Sequence, residues 1–261
     1  MPIVKSKDGT TIAYTKTGNG QPIIVVDGAL CSRAFGPTHH LIPLLSDQYT
    51  VVVYDRRGRN ESGDTAPYSV DREVEDLDAL ISEVGGAAFV VGFSSGAALA
   101  LHAAARGLNI KKLMLYEPPY VKNMGGHNPP ADAEARFKQF VATGKRGEAV
   151  KFFMKDLVGL PAIFPVIMSL TPAWKKLKAV AHTLSYDAAT MGDFSVPVQL
   201  AASVTVPTTV VAGEKTAVSL INAVKKLAAS VPDAKALFLK GQSHNVSMKV
   251  LAPELIKYFK S

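Results

Sequence analysis

The chain alternates short, continuous runs of apolar residues with longer stretches in which apolar residues recur at helical spacing. The short runs are rich in β-branched residues and end at polar or glycine-containing segments. Continuous apolar runs, rather than alternating ones, are typical of strands covered on both faces, as in parallel sheets. The predicted strands are residues 22–26, 49–54, 87–91, 112–116, 208–212 and 236–239.

Helical patterns separate these strands. Val70, Val74 and Leu77 recur three or four residues apart with acidic residues between them, which indicates an amphipathic helix. Residues 97–105 are apolar on nearly every side, which indicates a buried helix. Strands that alternate with helices predict an α/β fold, in which a mostly parallel sheet is covered by helices on both faces.

The alternation stops in the middle of the chain. Residues 120–200 show helical patterns interrupted by several prolines and no convincing strand. The alternation then resumes, with helices expected at about 218–229 and 247–259. We therefore predict an α/β core formed by residues 1–119 and 201–261, into which residues 120–200 are inserted as a helical cap.

Composition agrees with one large globular unit. Of the 261 residues, 48% are hydrophobic and only 20% are charged, which allows a sizeable core and argues against disorder. Cys31 is the only cysteine, which excludes a disulfide framework and favours a reducing, cytoplasmic location. Lys5, Lys7 and Asp8 interrupt the start of the chain, so we expect no apolar signal segment there.

Charge adds little to this picture. The net charge of +7 comes mostly from lysines scattered singly and in pairs, which we interpret as a solvated basic surface. No basic stripe interleaved with aromatics and no long apolar run is present, so we expect neither nucleic acid nor a membrane as a partner. Arg56, Arg57 and Arg59 cluster in one loop, which we interpret mainly as surface or loop packing rather than a site for an anionic substrate.

Candidate chemistry is concentrated at a short glycine-rich segment. Gly92–Gly96 reads G-x-S-x-G with Ser94 at its centre, between a predicted strand and the buried helix. A serine on such a sharp turn exposes its hydroxyl from a strained backbone, and the flanking glycines let strand and helix approach closely. The helix N-terminus also directs N–H groups towards any oxyanion formed there. Ser94 is therefore the candidate nucleophile.

A serine hydroxyl needs a neighbouring base, and His244 is the candidate. It follows the last predicted strand, so it lies at the carboxyl-end edge of a parallel sheet, where Ser94 also lies. Ala29 follows the first buried strand at the same edge. The backbone N–H groups of Ala29 and Ser95 are therefore candidate oxyanion donors. Cys31 lies two residues beyond Ala29, but no activating motif surrounds it.

These features resemble the α/β-hydrolase fold family along the whole chain. The matching parts are Gly28 after a third strand, Asp55–Arg59 after a fourth, the turn around Ser94, the helical insertion and His244 after the last strand. The resemblance implies Ser94 as nucleophile, His244 as general base and an acyl-enzyme intermediate. One departure is Asp27, which stands where the family usually has histidine before this glycine.

The resemblance leaves the third member of a catalytic triad open. The acid usually follows the strand at 208–212, but the corresponding residue is Thr216, which is not a carboxylate. Glu117 ends the strand at 112–116, a position that resembles the acid position of some haloalkane dehalogenases. Glu214 is the rival candidate, and a site without a triad carboxylate is the third possibility.

The leading hypothesis is an esterase-like serine hydrolase of a small, largely apolar ester or related acyl compound. The apolar insertion predicts an apolar pocket. Histidine spacing such as H-E-x-x-H and a dinucleotide motif are missing from the sequence, so we expect no metal and no cofactor. A cofactor-free haloperoxidase or perhydrolase, an acyltransferase, a carbon–carbon bond hydrolase and a non-catalytic ligand-binding relative stay open as alternatives, and the sequence does not indicate an oligomeric state.

Overall fold

A single eight-stranded sheet organises the computed structural model, which describes residues 2–261. Its strands are β1 (Ile3–Lys5), β2 (Thr11–Thr17), β3 (Gln21–Val26), β4 (Tyr49–Tyr54), β5 (Ala88–Phe93), β6 (Ile110–Tyr116), β7 (Thr208–Gly213) and β8 (Lys235–Leu239). The order across the sheet is β1-β2-β4-β3-β5-β6-β7-β8. The pairings of β2 with β1 and with β4 are antiparallel, and the others are parallel. The predicted mostly parallel sheet is confirmed.

The hydrophobic pattern did not predict β1 and β2. β2 contains three threonines and a lysine among its seven residues, and its C-terminal end is exposed. Antiparallel strands near a sheet edge are solvated over part of their surface, so they need no continuous apolar run. The missed strands are thus those whose burial is one-sided or partial.

Helices cover both faces of the sheet. Their bounds are α1 (Ile42–Leu45), α2 (Val70–Glu83), α3 (Ser95–Ala105), α4 (Ala133–Ala142), α5 (Arg146–Phe152), α6 (Ile163–Ser169), α7 (Ala173–Ala179), α8 (Leu184–Met191), α9 (Val198–Ala202), α10 (Val218–Ser230) and α11 (Met248–Lys260). Successive residues of a strand point to opposite faces. Accordingly, Ile24 packs in a cluster with Leu99 of α3, whereas Ile23 packs in another with Leu255 of α11. The two-sided burial explains the continuous apolar runs.

Among the residues described, the segment between β6 and β7 contains helices and loops but no strand. α4 to α9 lie there, together with a π-helical turn at Phe153–Leu157 and a 3₁₀ turn at Ala181–Thr183. Phe137 of α4 and Leu184 of α8 are buried in the same cluster as Ile24 of the sheet. The helical insertion is therefore packed onto the core rather than separate from it, and the exact division at residues 120 and 200 stays a prediction.

Parallel pairing brings the carboxyl ends of the central strands to one edge of the sheet. Asp27 follows β3, Ser94 follows β5 and Glu117 follows β6. His244 lies in the loop between β8 and α11 at the same edge. This arrangement collects residues that are far apart in the sequence.

Candidate active site

Ser94 occupies a strained turn between β5 and α3. Its φ is 52° and its ψ is −123°, a combination that side-chain-bearing residues rarely adopt. A Cβ added to Gly92 would lie 2.6 Å from the Ala97 Cα atom, and one added to Gly96 would overlap the Val26 carbonyl oxygen. Both glycines therefore permit a close approach of backbones, and Ser94 is the residue that the turn presents to the cavity beside it.

His244 is paired with Glu117. The His244 Nδ1 atom lies 2.6 Å from Glu117 Oε2. Because a carboxylate accepts hydrogen bonds, this contact places the proton on Nδ1 and leaves Nε2 as an acceptor. The Glu117 side chain is completely buried, whereas the His244 side chain is 43% exposed and lines the cavity that contains Ser94.

Glu117 is fixed by two further hydrogen bonds. The Gly213 N–H donates to Oε1 at 2.8 Å, and the Thr216 hydroxyl donates to Oε2 at 3.0 Å. Thr216, which stands where the family's acid is usual, thus supports the carboxylate that faces His244. Glu214 is exposed, and its Oε2 accepts a hydrogen bond from the Gly241 N–H at 3.3 Å. The structure therefore brings Glu117, not Glu214, to the histidine.

Ala29 and Ser95 line the same cavity as Ser94 and His244. Within residues 2–261, neither backbone N–H donates to a protein acceptor. The loop after β3 lies directly beside the serine, because a Cβ on Gly28 would be only 3.1 Å from the Ser94 Cβ. Both predicted oxyanion donors thus lie next to the candidate nucleophile.

The cavity that these residues share has a volume of about 500 Å³. Most of its remaining wall is apolar and comes from the helical insertion, including Phe153, Leu157, Leu184, Met191 and Phe194. The hydrogen bonds of the described residues do not include one between Ser94 and His244. The predicted apolar pocket is therefore present beside the candidate site.

The three arginines of the loop after β4 are buried, whereas the sequence analysis placed them mainly at the surface or in loop packing. Arg56, Arg57 and Arg59 are each at most 1% exposed. Arg57 pairs with Asp8 at 2.6 Å and with Asp76 at 2.7 Å. Buried guanidinium groups need such partners because desolvated charge is costly. The interpretation as loop packing is therefore correct and the interpretation as surface is wrong. All three guanidinium groups pair with carboxylates of the protein.

Asp187 is the site residue that sequence reasoning missed. It accepts hydrogen bonds from Arg56 and Arg59, and from the Ser95 hydroxyl at 2.7 Å. The only available signal was an acidic residue within the largely apolar α8. Its partners precede it by about 90 to 130 residues, so no local pattern identifies them.

Other candidate groups are not part of this constellation. Burial raises the pKa of the Cys31 thiol to about 12, so this cysteine is a poor nucleophile at neutral pH. His127 also lines the cavity, where its Nε2 atom lies 2.5 Å from the Asp156 carbonyl oxygen. In residues 2–261, no group of three His, Cys, Asp or Glu side chains is arranged to hold a metal ion. None of the described helices is long and apolar enough to cross a membrane.

Comparison with known proteins places this geometry in a family. The model of the alpha/beta hydrolase family matches residues 20–253. An uncharacterized hydrolase, YraK, from Bacillus subtilis strain 168 is 28% identical over 151 residues, which are 56% of this chain and 55% of the relative. A non-heme haloperoxidase from Rhodococcus erythropolis is 28% identical over 153 residues, or 56% of each chain. These matches span little more than half the length of the curated relatives.

Solved structures agree with the family match. An alpha/beta hydrolase from Sphaerobacter thermophilus is 44% identical, with a TM-score of 0.91 over 99% of this chain and 100% of that one. An esterase from Exiguobacterium antarcticum is 19% identical, with a TM-score of 0.74 over 99% of each chain, and shares the fold. The chain therefore belongs to the alpha/beta hydrolase family.

Proposed function

We propose that the protein is a serine hydrolase of small, largely apolar esters or related acyl compounds. The observation that carries this proposal is the 2.6 Å contact between His244 Nδ1 and Glu117 Oε2 at the cavity that also contains Ser94. That contact holds the imidazole in the tautomer that can accept a proton on Nε2. The strained backbone at Ser94 and the unpartnered N–H groups nearby give further support.

In the proposed reaction, Ser94 Oγ attacks the carbonyl carbon of the substrate while His244 Nε2 takes the hydroxyl proton. The N–H groups of Ala29 and Ser95 stabilise the oxyanion. The tetrahedral intermediate then expels the alcohol, which receives the proton from His244, and leaves an acyl group on Ser94. Water deprotonated by His244 attacks this ester and releases the acid, which regenerates the serine.

The apolar wall favours an acyl group without charge. A cavity of about 500 Å³ has room for a small acyl chain and its leaving group, at the lower end of the usual range for ligand pockets. We therefore expect short to medium acyl chains to be better substrates than either acetate or long-chain esters.

Hydrolysis of p-nitrophenyl esters with acyl chains of two to twelve carbons tests the proposal. We expect turnover by the wild type, a maximum at an intermediate length and loss of at least about 10³-fold in Ser94→Ala. A fluorophosphonate should label Ser94 in the folded protein and should not label Ser94→Ala. Turnover that survives in Ser94→Ala, or folded wild type that is not labelled, would refute the assignment.

Peroxide is the second candidate for the acyl acceptor, because one relative is a non-heme haloperoxidase. The same acyl-enzyme attacked by hydrogen peroxide instead of water gives a peracid. Peracid yield from an ester in the presence of peroxide, compared with the acid yield in its absence, separates the two acceptors. A yield that is small compared with hydrolysis would leave water as the acceptor.

A further inference from the structure

Asp187 is a buried carboxylate of the helical insertion that contacts the core at the turn containing Ser94. Its Oδ1 accepts a hydrogen bond from the Ser95 hydroxyl at 2.7 Å. Ser95 is the first residue of α3, and Asp187 lines the cavity beside it. The insertion is thus bonded directly to a residue whose backbone N–H is a proposed oxyanion donor.

Arg59 links Asp187 to the other proposed donor. Its Nη2 donates to both oxygens of Asp187 at 2.9 Å, and its Nη1 donates to the Gly28 carbonyl oxygen at 2.6 Å. The Gly28 carbonyl and the Ala29 N–H belong to one planar, trans peptide group, so they point in opposite directions. Because Arg59 holds the Gly28 carbonyl towards itself, the N–H of Ala29 points away from Arg59. A cation on the carbonyl oxygen also polarises the peptide and strengthens its N–H as a donor.

Arg56 is the second guanidinium group that contacts Asp187. It donates to Asp187 Oδ1 and to Glu73 Oε2, each at 2.8 Å, so two guanidinium groups face two carboxylates. Burial opposes the charge of Asp187, but Arg59 and Arg56 beside it hold the pKa of this carboxyl below its ordinary value. The carboxylate is therefore ionised at neutral pH, and the hydrogen bonds that it accepts are charge-assisted.

We infer that Asp187 of the helical insertion and Arg59 of the core are positioning residues that together orient both N–H groups of the oxyanion hole. This inference rests on the proposed function. Asp187 holds Ser95 through its hydroxyl, and it holds Ala29 through the guanidinium of Arg59 and the carbonyl of Gly28. Correct seating of the insertion is thereby required for the hole to form, although neither side chain touches the reacting atoms.

The steady-state parameters of Asp187→Asn and Ser95→Ala test the inference. Oxyanion contacts strengthen in the transition state, so we expect kcat to fall about 10- to 100-fold in Asp187→Asn while KM changes less than about twofold. Ser95→Ala keeps the backbone N–H and loses only the hydroxyl, so we expect a smaller loss, of about three- to tenfold.

Tyr186→Phe is the matched control. Its hydroxyl donates to Asp64 at 3.0 Å, so this variant also breaks a contact between α8 and the core, while the aromatic ring is retained. We expect its kcat to stay within about twofold of the wild type. A kcat in folded Asp187→Asn that matches that of Tyr186→Phe would overturn the inference. Should Asp187→Asn fail to fold, Ser95→Ala decides, and wild-type kcat in that variant would overturn it.

Amide hydrogen exchange provides a measurement that does not depend on turnover. We expect faster exchange at residues 27–31 and 92–97 in Asp187→Asn, but not in Tyr186→Phe, because only the first variant releases these backbones. Unchanged exchange there would overturn the positioning role even in an active enzyme. Conversely, wild type that hydrolyses no ester would refute the proposed function, while the exchange result would still decide whether Asp187 positions these segments.

Discussion

Glu117 has the surroundings that a carboxylate needs to orient a histidine. It is completely buried at the end of β6, and hydrogen bonds from Gly213, Thr216 and His244 occupy both of its oxygens. Its backbone has a φ of 45°, which turns the chain sharply where the side chain enters the site. Three donors therefore converge on this carboxylate and hold it against the histidine.

Replacing this carboxylate by an amide should separate the two acid candidates. In Glu117→Gln an NH₂ group competes with the N–H donors and favours the wrong imidazole tautomer, so we expect kcat to fall by about 10² to 10⁴. The matched variant Glu214→Gln should stay within about threefold of the wild type, because the Glu214 side chain is exposed. Equal activity of the two variants would contradict the assignment of Glu117.

Asp27 gives a pH dependence that can be measured on stability rather than activity. Its Oδ2 accepts a hydrogen bond from Thr38, whereas its buried Oδ1 has no partner among the described residues. Burial raises the pKa of this carboxyl from 3.8 to about 6. The unfolded chain therefore ionises at lower pH than the folded protein, so this residue's contribution to stability falls as pH rises from about 4 to about 6.

Asp27→Asn removes that titration and keeps the shape of the side chain. We expect the free energy of unfolding of the variant, relative to wild type, to increase between pH 4 and pH 6 and to level off above. Urea denaturation at half-unit steps of pH measures the difference. A difference that is flat with pH, or that changes in the opposite direction, would contradict the raised pKa.

At the scale of elements, the strand-to-helix turn depends on how closely β3, β5 and α3 pack. Gly96 lies against the carbonyl oxygens at the end of β3, and Gly92 lies against the first turn of α3. Backbones at this distance leave no volume for a methyl group. The glycines of the motif therefore set the geometry of the turn, and the serine between them is the proposed nucleophile.

Gly96→Ala should consequently disrupt the turn. We expect a loss of about 2 kcal/mol or more in the free energy of unfolding and a large loss of esterase activity, because backbone atoms must move. Gly147→Ala is the control, since its Cβ would have ordinary contacts of 3.6 Å to Trp174 within a helix, and we expect a gain of about 0.5 kcal/mol. Denaturant titration of both variants makes the comparison, and equal stabilities would contradict the packing argument.

At the scale of the whole molecule, the helical insertion and the sheet share one hydrophobic cluster. Phe137 of α4 is completely buried in it together with Ile24 of β3. The Asp187 contacts join the same two parts through buried polar groups. Because the insertion and the core share both apolar and polar contacts, we expect them to unfold together.

The single tryptophan provides a local probe for this prediction. Trp174 lies in α7 of the insertion, so its fluorescence reports that segment, whereas far-ultraviolet circular dichroism reports the whole chain. We expect the two transitions to coincide in urea. Phe137→Ala should lower the free energy of unfolding by about 3–5 kcal/mol, whether it is measured by fluorescence or by circular dichroism. Leu170→Ala, at an 84% exposed residue, is the control and should change it by less than about 0.5 kcal/mol. Fluorescence that changes before the circular dichroism would indicate an insertion that unfolds alone.

Local patterns were sufficient for much of the fold. The parallel strands are buried on both faces, so their continuous apolar runs predicted them. The segment Gly92–Gly96 combines a strand end, a helix start and a serine in one short stretch. The partial burial of β2 left no such pattern, so that strand was missed. The sequence by itself thus determined the α/β class, the helical insertion and the candidates Ser94 and His244.

The tertiary structure alone decided which groups meet. Glu117 and His244 are 127 positions apart, and Ser95 and Asp187 are 92 apart, so no periodicity along the chain links them. Sequence patterns report how strongly a segment is buried, but they do not report which segment covers it. The contact of Glu117 rather than Glu214 with His244, the burial of the arginines and the contacts of Asp187 with Ser95 and Arg59 all depend on such pairing. They were settled only when the strand ends and the helical insertion were brought together in space.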